Sequence, residues 1–130
     1  PLAILFPEVQ FQLEDRSGKK VKVATEIANA IGLKNVTFRH CRAEEEKRKF
    51  DFVVSRAVMP LGDLIKIIRK NIRQEQHNAL PNGLICLTGG ELDQETMPVK
   101  HKTMLYDLKN EFTEDFFKTK KVVYVTISGL

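Results

Sequence analysis

The sequence predicts an α/β protein with a doubly wound sheet of mostly parallel strands that closes on an antiparallel hairpin. Two observations carry this. Apolar residues fall alternately into a two-residue period and a helical period along the chain. The last two strand-like runs then follow one another without an amphipathic helix between them, which suits antiparallel pairing.

Leu2 to Phe6 are apolar and Pro7 follows, which reads as the last turns of a helix stopped by proline. Val9, Phe11 and Leu13 alternate with Gln10, Gln12 and Glu14, a strand that ends on Asp15 before the turn formers Ser17 and Gly18. From Lys19 to Ile31, Ala24, Ile27, Ala28 and Ile31 recur at helical spacing, and Gly32 supplies a left-handed stop. Val36 to His40 suits a short strand. Ala43-Glu44-Glu45-Glu46 and the basic Lys47-Arg48-Lys49 then form a charged surface loop or short helix.

Phe50-Asp51-Phe52-Val53-Val54 is compact enough to be an inner strand buried on both faces, closed by Ser55-Arg56-Ala57. After Pro60, Leu61, Leu64, Ile65, Ile68 and Ile72 share one helical face. Asp63, Lys66, Arg69, Lys70 and Arg73 lie mostly on the other, so this helix is amphipathic and basic. A polar connection from Gln74 ends in the turn Pro81-Asn82-Gly83, and Leu84 to Leu87 forms a buried strand before Gly89-Gly90. An acidic stretch runs through Glu95. Met104 to Leu108 and Val122 to Ile127 are the closing hairpin strands, flanking Phe112, Phe116 and Phe117.

With 130 residues, 42% hydrophobic and 29% charged, the chain fits one globular domain over residues 1–130. No apolar run approaches the roughly 20 residues that span a bilayer, and none of the residues given reads as a signal peptide. Lys and Arg outnumber Asp and Glu by 21 to 17, a net charge of +4 that leans toward polyanionic partners. Cys41 and Cys86 are far apart and in no C-x-x-C pair, which argues against zinc and for a reduced, cytoplasmic setting. No feature specifies an oligomeric state. The sequence opens on Pro1 in what reads as the middle of an element, as a fragment would.

Ligands of such sheets bind beyond the carboxyl ends of the strands, which directs attention to Asp15, Ala43-Glu44, Ser55-Arg56 and Thr88-Gly89-Gly90. The Asp15 carboxylate suits the vicinal hydroxyls of an adenosine ribose, and equally suits a turn or helix cap. Ala43 would let an adenine ring approach the backbone and Glu44 would accept from its exocyclic amine; the alternative is the acidic start of a helical turn. The planar fork of Arg56 matches a carboxylate, a phosphate or the O6 and N7 edge of guanine, or else a surface salt bridge.

Other features are less specific. The basic helix face could touch phosphates or could simply be solvated. Lys100-His101-Lys102 and Lys118-Thr119-Lys120-Lys121 enlarge the basic inventory without aromatics to stack bases. His40, His77 and His101 show no ligand or nucleophile spacing. No G-x-G-x-x-G supports a dinucleotide oxidoreductase.

Five ordered blocks carry a family resemblance: Pro1-Leu2-Ala3-Ile4, Asp15 with Gly18-Lys19-Lys20, Asn35-Val36, Arg42-Ala43-Glu44, and Phe50 to Val54 running into Ser55-Arg56-Ala57. Asn82-Gly83-Leu84 and Lys120-Lys121-Val122-Val123-Tyr124-Val125 add support. Together they resemble the 16S ribosomal RNA guanine-N7 methyltransferase family, methyltransferase G or glucose-inhibited division protein B. The resemblance implies a Rossmann-like class I methyltransferase sheet and S-adenosylmethionine-dependent methylation of guanine N7 in 16S ribosomal RNA or the small ribosomal subunit.

It also implies cofactor contacts at Ala43, Glu44 and Arg56, with Asp15 matching the acid after the second strand that methyltransferases of this fold use for the ribose. It names no catalytic base and no metal. The family's first strand and glycine-rich loop are expected upstream of Pro1, which would leave two inner sheet edges without partners. Thr88 stands where related sequences often carry lysine. A different reading keeps the sheet as a catalytically inactive nucleotide- or RNA-binding module.

Overall fold

The computed structural model describes residues 2–56, 59–89, 103–111, 113–115 and 119–127. Expectations that fall on Ala57, Gly90 to Glu95, Lys100-His101-Lys102, Phe112, Phe116, Phe117 and Lys118 lie outside the described residues, as do the side chains of Thr88 and Gly89. Two compact units divide between Glu46 and Lys47.

In the first unit a short helix α1, Leu2–Leu5, stops before Pro7 as its sequence dictates. Strand β1, Phe11–Asp15, pairs in parallel with β2, Val36–His40, in a register that sets Phe11 beside Val36 and Asp15 beside His40. The alternating run from Val9 starts pairing only at Phe11, because the chain is still turning there: Val9 N donates to Phe6 O at 3.1 Å. Asn35 holds that turn. Its buried Nδ2 donates to Ala3 O, Phe6 O and Val9 O at 3.0, 3.0 and 2.9 Å, joining the end of α1 to the start of β2.

Helix α2, Gly18–Ala30, is the crossover between the two strands. Ser17 caps its first turn, and Gly32 ends it with φ of 75°, with Gly32 N and Leu33 N donating to Asn29 O and Ala28 O. Of the apolar positions that gave the helical spacing, Ala28 is buried whereas Ile27 and Ile31 are more than half exposed. Within this unit, a sheet of two strands is too narrow to cover more than one row of the helix.

The second unit is a four-stranded sheet in the order β3-β4-β6-β5. Strand β3, Phe52–Arg56, runs parallel to β4, Gly83–Gly89. Strand β6, Lys120–Thr126, is antiparallel to both β4 and β5, Thr103–Asp107, so the closing hairpin is as expected. Helix α3, Leu61–Ile68, buries Leu61, Leu64, Ile65 and Ile68. They pack into one core with Ile72, Leu84, Cys86, Val123, Val125 and Ile127, alternate residues of β4 and β6 supplying one sheet face.

Two readings differ from the sequence expectation here. Ile72 is buried but not helical: α3 passes through a 3-10 turn, Arg69–Asn71, and Ile72 forms a parallel bridge with Phe50. The β3 run is not buried on both faces either, since Val54 is half exposed. As an edge strand, β3 has a partner on one side and the α3 core beneath one face.

Strand β1 is likewise paired on one side only, so each parallel pair has an open edge among the described residues. Gly83 begins β4 instead of completing a turn. A Cβ there would lie 2.0 Å from Val125 O, so only glycine lets β4 and β6 pair this closely.

Candidate functional site

The parallel β1–β2 pair delivers Asp15 and the Ala43-Glu44 turn to one rim. Cys41 N donates to Asp15 O at 3.1 Å, extending the ladder past the end of β2, and a 3-10 turn, Ala43–Glu45, begins two residues later. Asp15 has a split role. Its Oδ1 accepts from Ser17 N at 2.8 Å, the turn-forming contact that an Asp before Ser-Gly would make. Its Oδ2 meets no donor among the described residues. His40 lies across Gly18, where a Cβ would come 3.2 Å from the ring, and the ring Nε2 is 2.9 Å from Arg16 O, so its contacts are structural.

Ala43 and Glu44 are exposed on a turn that is firmly held from behind. Glu45 closes it locally, its Oε1 accepting from Arg42 N at 3.2 Å. Glu46 anchors it. That side chain is 4% exposed and faces Arg39 Nη1 at 3.1 and 3.2 Å, while Gln12 Nε2 donates to Glu46 Oε2 at 2.7 Å and to Glu14 Oε2 at 2.6 Å. Cys41 Sγ donates to Glu14 Oε1 at 3.2 Å.

Sequence reasoning treated Glu44, Glu45 and Glu46 as one solvated run and missed this cluster. The available signal was the polar face of β1, Gln12 and Glu14, whose register partners are Thr37 and Arg39, with Cys41 just past the end of β2. The ligand-type atoms of Glu14, Cys41 and Glu46 lie within 4.8 Å of one another, yet their polar groups are engaged by Gln12, Arg39 and each other.

The cluster shifts two protonation equilibria. Burial, followed by the neighbouring Glu46 carboxyl, raises the Glu14 pKa above its ordinary 4.5. Burial and then the Glu14 carboxyl push the Cys41 thiol up to about 11. Cys41 is therefore a hydrogen-bond donor, not a thiolate, at neutral pH.

Arg56 ends β3, the carboxyl end of the second parallel pair, and is exposed. Each predicted cofactor residue thus stands at the carboxyl end of a parallel strand or just beyond it: Asp15, Ala43 and Glu44 share the β1–β2 rim, and Arg56 occupies the corresponding end of β3. Lys66, Arg69, Lys70 and Arg73 are all exposed, as an amphipathic basic helix and its extension require. His77 makes an exposed contact with Glu75 at 3.8 Å. Neither Cys41 nor Cys86 is in a disulfide. No helix among the described residues is long and apolar enough to cross a membrane.

Comparison with known proteins places these features. Residues 1–123 match the family described as GidB, rRNA small subunit methyltransferase G. A protein of Phocaeicola vulgatus named ribosomal RNA small subunit methyltransferase G is 95% identical over 130 residues, all of this chain and 62% of that protein. Its namesake from Porphyromonas gingivalis is 61% identical over 128 residues, 98% of this chain and 58% of the relative. The chain therefore spans about three fifths of the length of these curated relatives. A solved rRNA methylase from Streptococcus thermophilus shares the fold at a TM-score of 0.60 and 10% identity, over 90% of this chain and 73% of that one.

Proposed function

This chain belongs to the rRNA small subunit methyltransferase G family, and on that premise we propose that its protein transfers a methyl group from S-adenosylmethionine to N7 of a guanine in 16S ribosomal RNA. Residues 1–130 are taken as part of one Rossmann-like methyltransferase domain, acting in the cytoplasm on the small ribosomal subunit. The observation that supports the site assignment is the parallel β1–β2 ladder, extended by Cys41 N donating to Asp15 O two residues before an exposed Ala-Glu turn.

The donor set at that rim fits the nucleoside end of the cofactor. Asp15 Oδ2 is an acceptor for ribose hydroxyls while Oδ1 keeps the carboxylate oriented through Ser17 N. Ala43 presents only a methyl group, so an aromatic ring can approach its backbone, and Glu44 is an acceptor for an exocyclic amine. Arg56 offers a forked donor at the end of β3, suited to a carboxylate or to the guanine edge.

When bound, S-adenosylmethionine supplies a methyl group activated by its sulfonium charge. Guanine N7 already carries an in-plane lone pair, so no residue of this chain has to remove a proton before transfer. The work left to the protein is alignment and electrostatics. His40, the register partner of Asp15, has its ring Nε2 2.9 Å from Arg16 O, a contact within the fold.

The test is a methyl-transfer assay with the full-length protein and small ribosomal subunits lacking the modification. Radiolabel from S-adenosylmethionine should appear at a guanine N7 of the 16S RNA, detected as chain scission after borohydride and aniline. Label on a different atom, or none, sinks the proposal.

A further inference from the structure

Two basic segments far apart in sequence lie side by side in the second unit. Phe50 N donates to Asn71 O and Arg73 N donates to Phe50 O, at 2.6 and 2.9 Å, around the Phe50–Ile72 bridge. Asn71 Nδ2 reaches Arg48 O at 2.8 Å and Arg73 Nε reaches Lys49 O at 3.3 Å. The backbone of 48–50 is therefore pinned along that of 71–73. Lys47, Arg48 and Lys49 are thereby joined to Arg69, Lys70 and Arg73, every one of them exposed. No Asp or Glu occurs in residues 47–50 or 66–73.

We infer that this patch is a phosphate-binding platform for structured RNA. It rests on the function proposed above. The anchoring backbone is itself buried at Asn71 and Ile72, so the cations are mounted on a fixed edge and not on a free tail. Phosphates of a folded RNA match such a row, because Lys and Arg that neutralise them release condensed counterions whatever the base sequence.

The location adds a size requirement. Phe50 and Arg56 are at opposite ends of the β3 segment, about 20 Å apart at the rise of an extended chain. A substrate that reaches both the platform and Arg56 must span that distance, which a single nucleotide does not.

The experiment uses the full-length protein, a transcript of the small-subunit ribosomal RNA, and a short single-stranded RNA carrying one guanine. Arg48→Gln/Lys49→Gln, Arg69→Gln/Lys70→Gln and the four-fold combination are compared with the charge-preserving Arg48→Lys/Arg69→Lys. Each lost phosphate contact should lower the slope of log K against log salt by about 0.7 to 0.9. The four-fold variant should therefore lose two or more contacts on the long transcript and bind it at least about tenfold more weakly at physiological salt.

Affinity for the short RNA and for S-adenosylmethionine should stay within twofold, melting temperature should not move, and the Lys variant should keep the wild-type slope. An unchanged slope in the four-fold variant overturns the platform while leaving the methyltransferase reading intact. Equal losses on long and short RNA also overturn it, as does loss of binding to anionic vesicles with RNA binding preserved. A wild-type protein that binds no ribosomal RNA overturns both readings.

Discussion

Arg39 and Glu46 meet through one guanidinium nitrogen, 3.1 and 3.2 Å from the two carboxylate oxygens, and this contact closes the turn carrying Ala43 and Glu44 back onto β2. Glu46 is almost wholly buried while Arg39 keeps two fifths of its side chain in solvent. Arg39→Ala should cost about 2 kcal/mol, since it leaves a buried carboxylate short of a charged donor. Replacing both, as Arg39→Met with Glu46→Leu, should recover much of that loss, as read from urea midpoints in a double-mutant cycle. A double variant as unstable as the sum of the singles would show that the two residues act independently.

Glu14 and Cys41 predict a pH dependence whose sign is opposite to that of an ordinary salt-bridged carboxylate. The folded Glu14 pKa lies above 4.5, so the folded state holds a proton that the unfolded chain releases. The stability linked to Glu14 is complete below about 4.5 and is lost as pH rises through the raised value. Glu14→Gln, which can still accept from Cys41 and donate to Glu46, should raise the melting temperature at pH 7. The gap to wild type should close as pH falls below 4.5; a gap independent of pH would sink this reading.

Cys41 follows the same logic at the other end of the scale. Its thiol titrates at about 11 against an ordinary 9.0, so iodoacetamide should modify it slowly at pH 8, with a rate still climbing beyond pH 9. A rate that levels off below pH 9 would contradict the burial and the Glu14 contact.

Gly83→Ala should destabilise by about 3 kcal/mol or more, because its Cβ would strike a backbone oxygen that belongs to a buried strand and cannot move alone. Gly32→Ala is the control. Its Cβ meets nothing, so only the left-handed φ opposes it, at about 1 kcal/mol. Comparable losses at the two positions would remove the close approach of β4 and β6 as the cause.

Asn35→Asp should be worse than Asn35→Ala. The alanine forfeits donation to the carbonyls of Ala3, Phe6 and Val9, about 2 kcal/mol, whereas the aspartate turns a buried acceptor toward all of them. Hydrogen exchange at the amides of Phe6 and Val9, which close the turn after α1, should accelerate in both variants. Faster alanine than aspartate exchange would refute the donor role.

Asp15→Ala and Arg56→Ala separate the two ends of the proposed site. Asp15→Ala should weaken S-adenosylmethionine binding by about 10- to 100-fold, the loss expected for hydrogen bonds to a charged acceptor. Comparing cofactor Kd with turnover on ribosomal RNA tells whether Arg56 serves the cofactor, the guanine edge or both. Unchanged values for both quantities remove Arg56 from the site.

The fold was legible where local chemistry and periodicity agree. Pro7, Ser17-Gly18, Gly32 and Pro60 punctuate helices at or beside the observed ends, and the carboxyl-end residues Asp15 and Arg56 follow from strand periodicity alone. Burial was less legible, because it depends on what lies across from a side chain. Val54 and Ile27 are as apolar as Val53 and Ile65, yet an edge strand and a two-stranded sheet leave them exposed. Glu46 and Asn82 are the converse: polar residues buried because non-local partners wait for them. For Asn82 these are the carbonyls of Arg73 and Glu75, at 2.9 and 2.7 Å, which no spacing rule reveals.

The position of β6 between β4 and β5 has a consequence for biosynthesis. Translation proceeds from the amino end, so β4 and β5 leave the ribosome before the strand that joins them, and the face of Leu84 and Cys86 must wait without Val123 and Val125. The nascent second unit therefore exposes a sticky apolar surface until β6 emerges, the interval in which a holding chaperone would matter most. The strands and crossover helix of the first unit all precede residue 47 and so emerge earlier.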